Sequence, residues 1–198
     1  MQIIERLILE HRRMSSLLDL LPEVTDAAIN GDEHAEDRLY CMIDYLSGYP
    51  NEVHHPTEDI VFDRLRQAGL SDSQLQDLER NQNEHRVLEA ATQKLISTAN
   101  EAENMMLLQS ELNTYITHQK QHMEHEESSV FELAREYFSS ADWDALQQAY
   151  DTLHDPLFDA RDARFDVLYQ LLDVDSTHEM VRKGADATNR FLTATGSE

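Results

Sequence analysis

Residues 108–137 read LQSELNTYITHQKQHMEHEESSVFELAREY, and their spacing decides the fold. Leu108, Leu112, Tyr115, Gln119, His122, Glu126, Val130, Leu133 and Tyr137 recur every three or four residues. That is the period of one helix face. The face is apolar toward its ends and carries His122 and Glu126 near its middle, one turn apart. Neither glycine nor proline interrupts the run, which predicts a helix from about Met105 to Phe138.

Three more stripes of this kind precede it. Ile4, Leu7, His11, Met14, Leu18 and Leu21 mark a helix over about Ile3–Ile29, bent at Pro22 and ended by Asn30-Gly31-Asp32. Ile43, Leu46, Pro50, His54, Glu58, Val61 and Leu65 mark a second over about Glu33–Gln67. Pro50 and Pro56 predict kinks in it, or a break near Gly48–Pro50. Leu75, Leu78, Gln82, His85, Glu89, Thr92 and Ile96 mark a third over about Asp72–Ala99. Ser71 is its expected N-cap, and Gln74 completes a capping box. A turn is expected over Asn100–Asn104 and a break over Ser139–Asp142.

The expected architecture is all-α: an antiparallel up-down four-helix bundle over residues 1–139, then a helical extension over residues 140–198 packed on it. In the extension, helices are expected from Trp143 to about Thr152 and from about Leu157 to Leu172. Trp143, Leu146 and Leu153 read as the face laid over the bundle. A weak helical pattern near Glu179–Phe191 precedes a fraying end.

The chain of 198 residues carries a formal net charge of −23, which repels nucleic acid and anionic lipid. The single cysteine, Cys41, excludes an intramolecular disulfide and a cysteine-built metal site, and reads as a packed residue. The opening Met1–Leu7 shows no basic segment followed by an apolar run, and no stretch approaches the roughly 20 apolar residues of a membrane span. A cytoplasmic protein without a membrane partner is expected.

Every stripe is interrupted where an apolar residue belongs: by His11, by His54 and Glu58, by His85 and Glu89, and by His122 and Glu126. Chance pairing of this composition predicts about one His-x-x-x-Glu pair, and three occur on three successive helices. Counting residues to each turn, at about 1.5 Å of rise per residue, places the four histidines within roughly 2–5 Å of one level. Burying such groups costs several kcal/mol each unless they are paired or hold a metal. Imidazole and carboxylate together suit iron, manganese or zinc rather than calcium. Four histidines and two glutamates exceed one tetrahedral ion, and glutamate bridges pairs of ions well, so a dinuclear site is the natural reading. A ferritin-type centre needs two Glu-x-x-His motifs, and Glu52-x-x-His55 stands alone.

The chain resembles the hemerythrin family, in its bacterial HHE cation-binding branch, over about residues 3–137. The resemblance rests on Glu10-His11-Arg12, Val53-His54-His55-Pro56-Thr57-Glu58-Asp59, Glu84-His85 and His122-Met123-Glu124-His125-Glu126-Glu127. It implies that His11, His54, His85 and His122 ligate two iron ions, that Glu58 and Glu126 bridge them, and that an oxo or hydroxo bridge joins the pair. It implies a small ligand such as dioxygen, nitric oxide or peroxide, bound or sensed. A di-iron enzyme that reduces nitric oxide or peroxide, or repairs iron centres, is the alternative, and a regulatory protein with a sensory iron site is a third. The lone Cys41 argues against the two-domain repair type.

Oxygen-carrying members bring two histidines from the third helix at i, i+4, whereas Glu89 stands at the second position here. Glu89 reads as a further ligand, an acceptor for a ligand N–H, or a surface acid; His118, one turn before His122, is a candidate replacement. His55 reads as a neighbour bonded to a carboxylate, and His125 as a surface residue. His34, His154 and His178 read as structural or exposed. Tyr45, Tyr49 and Tyr115 read first as core packing; Tyr115, two turns before His122, is the best placed of them to approach the site from the interior.

Overall fold

The computed structural model describes residues 2–101 and 104–150. The helix expected from Leu157, together with Leu153, His154 and His178, lies outside them. The described helices are α1 (Gln2–Ile29), α2 (Glu33–Tyr49), α3 (His55–Arg66), α4 (Asp72–Ala99), α5 (Met105–His125), α6 (Phe131–Tyr137) and α7 (Ser140–Tyr150). A π-helical turn, Pro50–His54, joins α2 to α3, and a second, Glu126–Val130, joins α5 to α6. Four continuous rods therefore make the bundle. The rod of α1 packs against those of α2 and α5, and α4 packs against the same two.

Local chemistry sets the turns. Gly31, at φ +88°, ends α1 in the left-handed region that costs glycine little. The Asp32 N–H closes this turn on the Ala27 carbonyl at 3.1 Å, and the Asp32 carboxylate then caps α2 by accepting from the N–H groups of His34 and Ala35. The expected capping box at Ser71 and Gln74 is present in full. Ser71→Ala is expected to cost about 1 kcal/mol of unfolding free energy, read by urea titration; an unchanged midpoint would contradict it. Pro22 sits inside α1, which continues as a helix through it.

The second and fourth rods depart from the expected single helices. Pro50 offers no N–H to the ladder, and the chain takes the wider turn in which the His55 N–H donates to the Pro50 carbonyl, five residues back. In the fourth rod the Phe131 N–H donates to the Glu126 carbonyl in the same way. Each π turn overlaps one His-x-x-x-Glu motif: His54 ends the first and Glu126 begins the second. Such turns re-aim side chains by inserting a residue into the helical ladder, and they recur at functional sites.

Two apolar clusters fill the bundle. One includes Leu18, Leu21, Leu39, Tyr45, Tyr49, Leu95, Leu112 and Tyr115. The other includes Ile4, Leu7, Val61, Phe62, Leu78, Val130 and Phe131. The polar layer lies between them. The helix α7 adds Leu146 to the second cluster, and its Trp143 meets Phe138 edge-on at 5.1 Å. It begins three residues earlier than the apolar pattern suggests, because Ser139 caps it. The Ser139 N–H donates to the Asp142 carboxylate at 2.8 Å, and the Asp142 N–H returns a bond to the Ser139 hydroxyl. Arg64 of α3 clasps the same carboxylate through its Nε at 2.6 Å. These bonds to Ser139 and the Arg64 guanidinium hold the Asp142 carboxyl down at about 2.

Candidate metal centre

The sequence-predicted residues His11, His54, Glu58, His85, His122 and Glu126 are all buried, and they meet between the two apolar clusters. Each carboxylate spans the group. Glu58 places Oε1 3.3 Å from His11 Nε2 and 3.1 Å from His54 Nε2, while its Oε2 lies 3.4 Å from His85 Nε2. Glu126 places Oε2 3.4 Å from His11 Nε2, while its Oε1 lies 3.3 Å from His85 Nε2 and 3.4 Å from His122 Nε2. One oxygen of each thus serves the His11 side and the other serves the His85 side.

Two sets of convergent donor atoms follow. One is His11, His54, Glu58 and Glu126; the other is His55, Glu58, His85 and His122. Within each set the atoms lie within 4.8 Å of one another. An ion bonded at about 2.0–2.2 Å holds its donors within about 4.4 Å, so small adjustments close either set. The donors fit a metal better than they fit each other. Nε2 of His54, His55 and His122 and Oε2 of Glu58 and Glu126 are buried with no aligned hydrogen-bond partner. Atoms of this kind are costly in a dry interior unless a cation takes their lone pairs.

A second ring of acids fixes the imidazoles. Glu10 accepts from His54 Nδ1 at 2.9 Å, Glu84 lies 3.1 Å from His122 Nδ1, and Glu127 lies 3.0 Å from His11 Nδ1. An Nδ1–H bound to a carboxylate commits Nε2 to the centre as an acceptor. Glu10 is itself held by Arg6 Nε at 2.8 Å. The sequence signal was present but unassigned: Glu10 adjoins His11, Glu84 adjoins His85 and Glu127 adjoins Glu126, yet each reaches an imidazole on another rod.

Charge in the metal-free layer follows these contacts. Burial disfavours the Glu58 carboxylate, but the His54 charge and the close His11, His54 and His85 imidazoles hold its pKa well below the usual range. Burial also disfavours a charged His54, yet the adjacent Glu58 charge and the bond from Nδ1 to Glu10 lift its pKa to about 9. For His85, burial is outweighed by its bond to Glu126 and the close Glu58 carboxylate, and the pKa rises to about 10. His11 is likewise raised well above the ordinary value, burial being overcome by its bonds to Glu126, Glu127 and Glu58. His55 goes the other way: burial and the adjacent His85 charge push it well below, so its ring is neutral.

His55 is the residue the helical wheel misplaces. Instead of bonding a carboxylate at the periphery, it is buried and stacked on His85 at 4.1 Å between ring centroids. The π turn just before it shifts the phase, so that His54 and His55 both face inward. Glu89 and His118 are exposed and belong to neither donor set. His125 is partly covered and contacts Asp77 and Arg80, and His34 is exposed. Tyr49 lies 6.1 Å from the His54 ring and stacks on Tyr45. Tyr115 and Gln119, on the inward face leading to His122, are buried, and their hydroxyl and amide atoms have no hydrogen-bond partner.

Buried imidazoles gathered around two carboxylates inside an up-down four-helix bundle define a class of cation-binding helical proteins. The sequence signature of the hemerythrin HHE cation binding domain matches residues 2–134, and the chain belongs to that family. No curated protein and no solved structure matches the chain significantly. Among the described residues, no helix is long and apolar enough to cross a membrane.

Proposed function

We propose that the chain is a non-haem di-iron protein that binds or senses dioxygen or a related small ligand, nitric oxide or peroxide. The observation that carries this reading is Glu58, wholly buried and common to two sets of convergent donors. In this assignment His11 and His54 hold one ion, His55, His85 and His122 hold the other, and Glu58 and Glu126 bridge them. Paired irons with such ligands supply redox chemistry toward dioxygen, nitric oxide and peroxide. Position one then has two imidazoles against three at position two, which leaves it the more open to an added ligand. Gln119 and Tyr115 offer hydrogen-bonding atoms one and two turns from His122, and a polar ligand beside the centre would satisfy them.

The test is anaerobic reconstitution with ferrous iron, followed by oxygen exposure and degassing. Two irons per chain and charge-transfer absorbance that appears and then reverses are expected. Uptake of fewer than two irons, or no spectral response to oxygen, nitric oxide or peroxide, would overturn the reading. Sustained consumption of nitric oxide or peroxide would assign an enzyme instead of a sensor.

Loading also has a proton signature. At pH 7 the imidazoles of His54 and His85 are charged before loading, because their pKa values of about 9 and about 10 lie above 7; His11 is raised in the same direction, whereas His55 is neutral. A ligating imidazole must be deprotonated, so loading should expel at least about two protons per chain and tighten as pH rises toward 9–10. A pH indicator in weakly buffered solution reads this, and loading without acidification would contradict it.

A further inference from the structure

A cavity of about 220 Å³ opens between α3 and α4. Exposed Glu89 and Arg86 stand at its rim, Asp59 is part-buried in its wall, and His55 and His85 line its inner end. His55 is 5% exposed, and its Nε2 is buried with no hydrogen-bond partner. This cavity therefore joins two surface-side carboxylates to an unpartnered donor of the second set. His11 and His54 are more deeply enclosed, at 1% exposure each.

The cationic groups beside the cavity are turned to other partners. Arg86 donates to the Asn83 side-chain oxygen at 2.9 Å, and Arg66 donates to the Gln82 oxygen at 2.6 Å. The Gln82 amide in turn donates to Asp59 at 2.9 Å, which fixes that carboxylate in the wall. A second cavity, of about 350 Å³, reaches His122 between α4 and α5; its one carboxylate, Glu84, is engaged with His122 Nδ1 at 3.1 Å, and Arg80, His118 and His125 line it together with Val87 and Leu88. Its lining suits an anion or an apolar ligand better than a cation.

We propose that the Asp59–Glu89 cavity is the route by which a hydrated divalent cation reaches the buried centre, the two carboxylates receiving it before His55 takes it inward. The proposal rests on the dinuclear reading of the centre. Carboxylate and amide oxygens suit a cation that still carries water, and imidazole suits the same ion once water is shed. The net charge of −23 draws cations to the surface, and acids at the mouth of a cleft focus them. The substitution of Glu89 for a third-helix histidine then makes chemical sense: position two obtains its third imidazole from His55, and position 89 serves the mouth.

The test is stopped-flow loading of metal-free, full-length protein with Co²⁺, followed by the visible bands of the bound ion. Glu89→Gln and Asp59→Asn should each slow loading about tenfold, and Glu89→Lys should slow it further. All three should finish at the wild-type count of two ions. His118→Ala, in the other cavity, should load within about twofold of wild type. Wild-type loading rates in the Glu89 and Asp59 variants, or equal slowing in His118→Ala, would overturn the route while two ions per chain keep the centre intact. A wild-type protein that takes up fewer than two ions would overturn the centre, and the route with it.

Discussion

Glu58→Gln is expected to leave the protein with at most one metal ion per chain. Glutamine keeps the volume and helix preference of glutamate but loses the charge and one strong donor oxygen. Glu58 is fully buried and is the one residue common to both donor sets, so a single change reaches both positions. Removing an acid that only orients a ligand typically weakens metal binding ~10–100-fold, and removal of a bridge should exceed that. Circular dichroism should still report a folded helical protein, because the apolar clusters on either side are untouched. Measurement of bound metal after dialysis checks the count. Two tightly held ions in Glu58→Gln would mean that Glu58 is only a hydrogen-bond acceptor for His11 and His54.

The second large effect is expected at His55. His55→Ala should weaken the ion at position two about 100-fold or more, while the ion bound by His11 and His54 stays near wild-type affinity. Stacking on His85 at 4.1 Å offers a different role for this ring, that of packing. His55→Phe separates the two roles, since it keeps an aromatic ring and removes Nε2. If His55 is a ligand, both variants lose the second ion; if it is packing, His55→Phe retains two. Competition titration with a chromophoric chelator gives the two affinities separately.

The contrast between His55 and the other histidines shows what was legible in the sequence. His11, His54, His85 and His122 sit on stripes whose 3.6-residue period holds locally, so reading one face was enough to bring them together. Glu58 and Glu126 follow from the i, i+4 spacing. His55 was hidden because that period fails across Pro50–His54, where proline removes a donor and the chain takes a π turn. Glu89 and His118 drew attention only through spacing relative to His85 and His122. The α4 and α5 surfaces turn both outward, and no spacing rule distinguishes a wet i+4 position from a buried one. The orienting acids Glu10, Glu84 and Glu127 bond between rods, over 44, 38 and 116 residues of chain. Contacts of that range depend on how the rods are rotated against one another, which the local pattern does not encode.

The proposed ligand chemistry and the proposed entry route both depend on two cations sharing Glu58 and Glu126. Anomalous scattering above and below the iron edge, from crystals of iron-loaded protein, tests this most directly. Two iron peaks are expected between the Glu58 and Glu126 carboxylates, one beside His11 and His54 and the other beside His55, His85 and His122. A single peak, or iron held only by surface acids with the central imidazoles bonded to Glu58 and Glu126, would contradict it.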